Sequence, residues 1–448
     1  MDRPMSQSRR LPLALAVGLC WCLSAQAGPG QAQRSPNVVL ILADDLGWGD
    51  VGFNGRKEWA TPNLDRLAAQ GTTFRRFYTA GVTCAPSRGA LLTGKATIHS
   101  GVTRNDQDLP LGQVTIAEAL RARGYATALF GKWHRGRPKS GGEPGHPLDQ
   151  GFDEFFGFTD AVHAWEQFPS ELYDGRDRKP VTGYANDLFA DHAVDFLKRH
   201  REGAPFFLYL PFTATHFHIQ APADEVALHQ GKFTEADPNK PLKATYAAMV
   251  TRLDRNVGRV LQALDDLKLA EDTIVIFTSD HGATFERGNL GVSNALDSNH
   301  PFRGQKRTLW EGGIRVPGVV RWPGHVPSGV ISDQIIQMTD LMPTLLAAAG
   351  SEPDPAWKVD GIDVMPAWTG ARPLPERTLF WEWRSEGANQ SAAMRGRFKL
   401  VLTGDAPPEL FDVEADPAER RNVIAEHAEL AQDLRARIKA WLATESRD

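Results

Sequence analysis

Four short runs of consecutive apolar residues punctuate the first two-thirds of the chain, at 37–43, 125–130, 205–212 and 273–278. Runs without polar alternation predict strands buried on both faces. Between them the apolar positions recur at helical spacing. Residues 61–71 begin with a capping threonine, Thr61, carry Pro62 in the first turn and close on Gly71. Further helices are predicted at 116–124 and 188–200. The longest, 246–267, lines up Met249, Val250, Leu253, Val257, Val260, Leu261 and Leu264 on one face. Strands alternating with helices predict an α/β fold, a large mainly parallel sheet sandwiched by helices.

After about Gly350 the pattern changes. Pro353, Pro355, Pro366, Pro373 and Pro375 punctuate a loop-rich stretch. Short runs at 378–383 and 397–402 and an amphipathic segment at 422–444 then predict a small antiparallel sheet with a terminal helix. The expected organisation is a main domain over 28–370 and a C-terminal subdomain over 371–448.

Residues 1–27 read as a signal peptide. Arg3, Arg9 and Arg10 precede the apolar run 11–23, and Ala25 and Ala27 supply the small residues of a cleavage site. The run is short for a membrane span, and no later stretch has the length or apolarity of one, so no integral membrane anchor is expected. Leu19 and Trp21, next to Cys20 and Cys22, are bulky where a lipoprotein signal takes a small residue. The expected location is outside the cytoplasm, in a bacterial periplasm or secreted. A formal charge of −5 with no basic run gives no reason to expect a nucleic-acid partner. Of three cysteines, Cys20 and Cys22 leave with the leader, so Cys84 is the lone thiol of the mature chain. A lone cysteine is most often a small buried hydrophobe; its neighbours decide whether this one is more.

Ligands in open α/β sheets bind outside the carboxyl ends of the strands. Here the first predicted strand runs into Asp44 and Asp45, and the second into Lys132 and His134. The third runs into His216 and His218, and the fourth into Asp280 and His281. Adjacent carboxylates repel unless a cation holds them together, and three aspartates with a histidine suit a divalent metal. Each loop alone is as well explained by capping or packing; four together are not. The segment 83–94 is decisive. Ser87 to Gly94 reads as a helix start with Cys84 just ahead of it and Arg88 close by, a setting that favours a reactive, anion-binding cysteine. By itself this fits a cysteine hydrolase or a phosphatase.

The stretch Cys84, Pro86, Ser87, Arg88 through Thr93-Gly94 closely resembles the signature of the sulfatases of the alkaline phosphatase superfamily, the arylsulfatase and N-acetylgalactosamine-6-sulfatase kind. Residues 36–50, 131–134, 215–216, 279–282, 302–306 and 310–317 are similar to that family's other blocks in the same order, and 395–402 and 409–412 resemble its C-terminal part. The resemblance implies that a maturation enzyme oxidises Cys84 to Cα-formylglycine. It also implies that Asp44, Asp45, Asp280, His281 and the modified Cys84 hold one divalent ion, usually calcium. Arg88, Lys132, His134, His216 and Lys306 are implied to surround the sulfate. His281 stands where many members have asparagine, which leaves magnesium or manganese open beside calcium. The stretch 157–163 lacks a serine that some members place near the sulfate.

The chemistry implied is sulfate-ester hydrolysis. Positive charge gathers where the sulfate oxygens crowd, and one hydroxyl of a hydrated aldehyde attacks sulfur. The second hydroxyl is deprotonated, with His134 the candidate base, and collapse to the aldehyde expels sulfate. His216 or Lys306 protonates the departing alcohol. Two other readings stay open: a phosphomonoesterase or phosphonate monoester hydrolase on the same scaffold, and a sugar-binding protein with a vestigial site. The expected substrate is a sulfated glycan or a small aryl sulfate, bound among loops 136–147, 165–184, 217–243 and 286–301. Trp165, Phe168 and Tyr173 are candidates to stack on it. His163 and His218 read either as site residues or as loop histidines, whereas His99 and His146 are expected to be structural.

Overall fold

The computed structural model describes residues 1–2, 35–135, 145–385 and 389–445. The predicted signal peptide, apart from its first two residues, lies outside them, as does most of the loop 136–147. In chain order the strands are β1 (Asn37–Ala43), β2 (Thr72–Phe74), β3 (Phe77–Tyr78), β4 (Ala126–Arg135), β5 (Glu154–Asp160), β6 (Glu171–Asp174) and β7 (Asp177–Pro180). There follow β8 (Phe206–Pro211), β9 (Thr273–Ser279), β10 (Arg315–Val316), β11 (Gly318–Arg321), β12 (Val330–Ser332) and β13 (Ile336–Gln337). The C-terminal strands are β14 (Thr378–Trp383), β15 (Gln390–Arg395), β16 (Phe398–Thr403) and β17 (Glu409–Asp412).

The large sheet has the order β12-β2-β11-β9-β1-β8-β4-β5-β6-β7. Its centre, β9-β1-β8-β4-β5, is parallel; β1, β4, β8 and β9 are the four predicted apolar runs, whereas β5 is not among them. Antiparallel pairing enters at the flanks, through β11 on one side and β6 and β7 on the other. All seven residues of β1 are buried. Val38, Leu40 and Leu42 pack with Ile116, Leu120, Leu341 and Leu345. Val39 and Ile41 pack with Phe189, Phe196, Leu253 and Val257, from the helices Ala185–Arg199 and Leu242–Asp266. Alternate side chains thus meet helices on opposite faces, which is why the run has no polar alternation.

Three expected boundaries move. The second predicted strand continues to Arg135: Gly131 and Lys132 still pair with β5, and Trp133 and His134 bulge out of the ladder before Arg135 rejoins it. At Gly131 a Cβ would lie 2.1 Å from the Pro211 carbonyl oxygen, an approach that requires glycine. The helix carrying Cys84 spans Cys84–Thr93, so the thiol sits on its first residue and not ahead of it. The terminal helix is Ala428–Leu442. It starts late because Asn422 accepts from the backbone of Leu410 and Ile424, holding the chain in a turn against β17. Among the described residues no helix is long and apolar enough to cross a membrane.

From Ser35 onward the chain packs as one compact unit. The sheet β14-β15-β16-β17 is antiparallel. Its Trp381, Ala392, Met394, Val401 and Phe411 pack on Tyr78, Val82 and Ile314. Ala393, Leu400 and Leu410, on the other face, are covered by Leu434 and Ile438 of the terminal helix. Two polar contacts tie this sheet to the segment that leads into Cys84. Trp381 Nε1 donates to the Thr79 carbonyl at 2.6 Å. Lys399 Nζ, fully buried, lies 2.7 Å from Glu311 and 2.9 Å from Glu419, and the Tyr78 hydroxyl donates to Glu311 at 2.9 Å. Removing a lysine from between two buried carboxylates leaves charge uncompensated. Lys399→Met is therefore expected to lower the unfolding free energy by about 3–5 kcal/mol, measured by urea denaturation. A loss under about 1 kcal/mol would show that the network carries little of the docking.

Candidate active site

The loops at the carboxyl edge of the parallel strands continue the ladder before they diverge. Asp280 N donates to the Ala43 carbonyl at 3.0 Å, Asp44 N to Ala214 at 3.0 Å, and Thr215 N back to Asp44 at 2.6 Å. The Ser279 hydroxyl accepts from Leu46 N and donates to the His281 carbonyl. Asp45 and His134 hold left-handed backbone, φ 62° and 66°. For residues with a Cβ that conformation costs energy and turns the side chain off the strand direction. At Gly282 a Cβ would lie 1.8 Å from the Gly312 carbonyl oxygen, so only glycine lets this loop lie against 312–313.

These constraints bring every predicted site residue into one buried cluster. Cys84 Sγ is 3.5 Å from Asp44 Oδ1 and 3.3 Å from His281 Nε2. Lys132 Nζ donates to Asp44 Oδ2 at 2.5 Å. Lys306 Nζ donates to both oxygens of Asp45, at 2.9 and 3.2 Å. Arg88 donates Nε and Nη2 to Asp280 Oδ2, at 3.2 and 3.0 Å, and Nη1 to the Lys132 carbonyl at 2.9 Å. His216 Nδ1 lies 2.7 Å from the Phe217 carbonyl, which assigns the proton there and leaves Nε2 facing Asp45 Oδ2 at 3.8 Å. His281 Nδ1 likewise meets the Gly282 carbonyl at 3.0 Å, so Nε2 faces Cys84 and Asp280. His134 is buried with neither ring nitrogen in a regular hydrogen bond.

Charge explains the protonation pattern. Burial alone would push Asp44 up, but Lys132, with His216 and Arg88, holds it well below the carboxylate range. Asp280 is pushed up to about 7 by burial, Asp44 and Cys84, which outweigh His281 and Arg88. Burial would lower His281, yet Asp280 and Cys84 raise it to about 9. Burial and the neighbouring Lys132 bring His134 down to about 4, so it is neutral at ordinary pH. Burial opposes a thiolate at Cys84, but Lys132, Lys306 and His281 bring it well below the usual thiol range. Lys306 goes the other way: Asp45 and Cys84 overcome burial and raise it.

The donor set fits a divalent cation. Donor atoms of Asp44, Cys84, Asp280 and His281 lie within 4.8 Å of one another, as do those of Asp44, Asp45, Cys84 and His216. A carboxylate raised to about 7 among like charges is the state a cation would relieve. The other histidines lie elsewhere. His99 bonds Asp360 and Thr444, and His146 accepts from Leu148 N at the start of a short 3-10 helix. His218 is exposed and packs on Trp165, while His163 packs edge-on to Phe158. Sequence reasoning missed several supporting groups. Glu286 lies 3.7 Å from Lys306 and also pairs with Arg307. Asn105 Oδ1 accepts from Ala85 N in the first turn of the Cys84 helix, and the Ser87 hydroxyl donates to the Asp280 carbonyl at 2.5 Å. No motif marks Glu286 or Asn105, whereas Ser87 stood in the signature without an assigned task.

Electrostatics favours a reactive Cys84 thiolate and burial prevents access; with 1% exposure, burial wins. In unmodified chains lacking residues 1–27, a disulfide reagent such as Ellman's is expected to titrate no thiol in native protein and one per chain in urea. Rapid labelling of the native state would contradict the geometry.

The description "Sulfatase" belongs to the family model that matches residues 36–351, and "N-sulphoglucosamine sulphohydrolase, C-terminal" to one that matches 300–446. N-acetylgalactosamine-6-sulfatase of Sus scrofa is 35% identical over 423 residues, covering 86% of this chain and 76% of that protein. Arylsulfatase A of Homo sapiens is 33% identical over 485 residues, covering 94% and 87%. Among solved structures, Ps i-CgsB in complex with k-i-k-neocarrahexaose has a TM-score of 0.82 at 29% identity, covering 92% of this chain and 94% of that one. The phosphonate monoester hydrolase of Agrobacterium radiobacter shares the fold, with a TM-score of 0.66 at 21% identity over 92% of this chain and 96% of that one. With the match running through the strand ends that hold the cluster, the chain belongs to the sulfatase family of the alkaline phosphatase superfamily and is a sulfuric ester hydrolase.

Proposed function

We propose that this sulfatase removes sulfate from a sulfated sugar, with a formylglycine made from Cys84 and one divalent ion, calcium. The observation that carries the reading is the position of Cys84. It heads a helix, with Asp44 and His281 within 3.5 Å of its sulfur, and with Lys132 on Asp44, Arg88 on Asp280 and Lys306 on Asp45 around it. Asp44, Asp45, Asp280 and His281, with an oxygen at position 84, would hold the ion, which when bound supplies positive charge to the sulfate oxygens and acidifies a hydroxyl there. Three carboxylates favour calcium over magnesium, which takes one or two and keeps its waters, and calcium over manganese rests on the family resemblance alone.

The chain's own residues account for the remaining tasks. Arg88, Lys132 and Lys306 are fixed by hydrogen bonds before substrate arrives, so they stabilise crowded oxyanions without reorganising. His134, neutral and lying against Cys84, is placed to take a proton from the hydroxyl at position 84. Between His216 and Lys306, the geometry favours His216 as the proton donor to the leaving alcohol. The Lys306 ammonium is gripped by both oxygens of Asp45 and raised in pKa, which makes it a poor acid. As the acid, His216 must carry both ring protons: the Phe217 carbonyl holds the one on Nδ1, and Nε2, facing the site beside Asp45, gives up the other.

A sugar is supported by the names of N-acetylgalactosamine-6-sulfatase and of the carrahexaose complex. Trp165 and Phe217, with ring centres 5.2 Å apart, lie beside His216 and suit a sugar face. The leader would deliver the protein to the periplasm or beyond. A maturation enzyme must reach Cys84 before folding buries it.

Cys84→Ala is expected to lower kcat by about 10⁴-fold or more with an unchanged unfolding midpoint; full activity would end the formylglycine reading. A strong preference for nitrophenyl phosphate over nitrophenyl sulfate would favour the phosphoesterase reading instead. His216→Gln should slow a sugar sulfate by roughly 10²–10⁴-fold yet barely affect nitrophenyl sulfate, whose leaving group needs no proton. Equal losses on both substrates would remove His216 from the acid role.

A further inference from the structure

One buried hydroxyl is shared by three of the loops that build the site. Tyr246 belongs to the helix Leu242–Asp266, and its ring is wholly buried, edge-on to Trp59 at 6.2 Å. Its Oη donates to Asp50 Oδ2 at 2.7 Å, lies 3.2 Å from Thr215 Oγ1 and accepts from Ser298 Oγ at 3.4 Å. Each partner sits on a different loop. Asp50 closes the turn that follows Asp44 and Asp45, where Oδ2 also accepts from Gly47 N at 2.9 Å. Thr215 precedes His216, and its hydroxyl is 3.1 Å from the Asp45 carbonyl. Ser298 accepts Gly49 N on its carbonyl at 2.9 Å. The next residue, Asn299, holds both backbone groups of Ala283, two residues beyond His281, at 2.8 and 3.1 Å.

Asp50 is an expensive group to bury. It is fully enclosed, and its Oδ1 has no hydrogen bond, with Arg56 only within ion-pair range at 3.5 Å. Burial pushes it up to about 6 even with Arg56 and Tyr246 opposing. A charged acceptor of this kind gives the tyrosine hydroxyl one direction, and the lone pairs of Oη are then left for Ser298 and for Thr215, whose one proton is shared between Oη and the Asp45 carbonyl. An apolar side chain would fill the same volume without setting that geometry.

We propose that Tyr246 is a positioning residue of the metal centre, whose hydroxyl holds the loops of Asp44–Asp45, His216 and Ser298–Asn299 in mutual register. It touches neither substrate nor ion. The proposal rests on the metal-centre reading, and the outer partners of metal ligands characteristically change affinity by about 10–100-fold when lost.

The test is calorimetric titration of chelator-treated protein with Ca²⁺, and separately with Mg²⁺ and Mn²⁺. Wild type is expected to bind one ion. Tyr246→Phe, which keeps the packed ring, should raise Kd about tenfold. Thr215→Val should also weaken binding, and the double variant should lose less than the product of the two single losses, because the Thr215–Tyr246 contact is common to both while the Thr215 contact with the Asp45 carbonyl is not. Ile438→Ala, in the terminal helix, should lower the unfolding temperature and leave Kd alone. A Tyr246→Phe Kd within twofold of wild type overturns the proposal, as does an equal rise in Ile438→Ala or fully multiplicative losses in the double variant. If wild type binds none of the three ions, the metal-centre reading fails and takes the proposal with it. An unchanged variant beside a binding wild type sinks the proposal alone.

Discussion

Three carboxylates, Asp44, Asp45 and Asp280, share a water-poor corner at one edge of the sheet, and their mutual repulsion is the constraint on which the site is built. Two such charges 4 Å apart repel by about 4 kcal/mol at the effective dielectric of a protein site. Each therefore has its own cation: Lys132 for Asp44, Lys306 for Asp45 and Arg88 for Asp280. The compensation is incomplete, since Asp280 still rises to about 7. What remains is a concentrated negative site walled by fixed positive groups. That arrangement suits a divalent ion on one side and a sulfate oxyanion on the other.

Holding such a corner together falls to the backbone and to elements remote from the chemistry. Parallel strands set the loop origins about 4.8 Å apart, and the ladder contacts of Asp44, Thr215 and Asp280 carry that spacing into the loops. Left-handed backbone at Asp45 and His134 turns their side chains inward. The C-terminal sheet fixes the approach to Cys84 through Trp381 on Thr79 and through the Lys399 network on Tyr78 and Glu311. A small sheet far along the chain is thus part of the support for Cys84.

Much of this was legible before any coordinates. Uninterrupted apolar runs marked the central strands because both their faces are covered, and the long helix of Met249 to Leu264 showed its buried face by spacing alone. Short or polar elements were not legible. β7 is Asp177–Pro180 with every residue exposed, and β15 carries Gln, Ser and Ala where a strand pattern needs bulk. Their pairing is decided by neighbours, not by their own propensity. The start of the Cys84 helix is hidden in the sequence for a related reason: Pro86 in its first turn reads as a boundary, yet the missing N–H costs nothing there.

By itself the sequence determined which chemical groups the site contains, because acids, bases and the lone cysteine follow apolar runs or sit in a long signature. Tertiary structure alone decided who faces whom. Lys306 meets Asp45 across 261 residues, Glu286 joins them without any motif, and Tyr246 reaches three loops from a position that the helical pattern reads as core. The difference is physical. Periodicity records which side of an element is dry, whereas the pairing of buried charges and hydroxyls is set by desolvation and distance between segments that no local pattern relates.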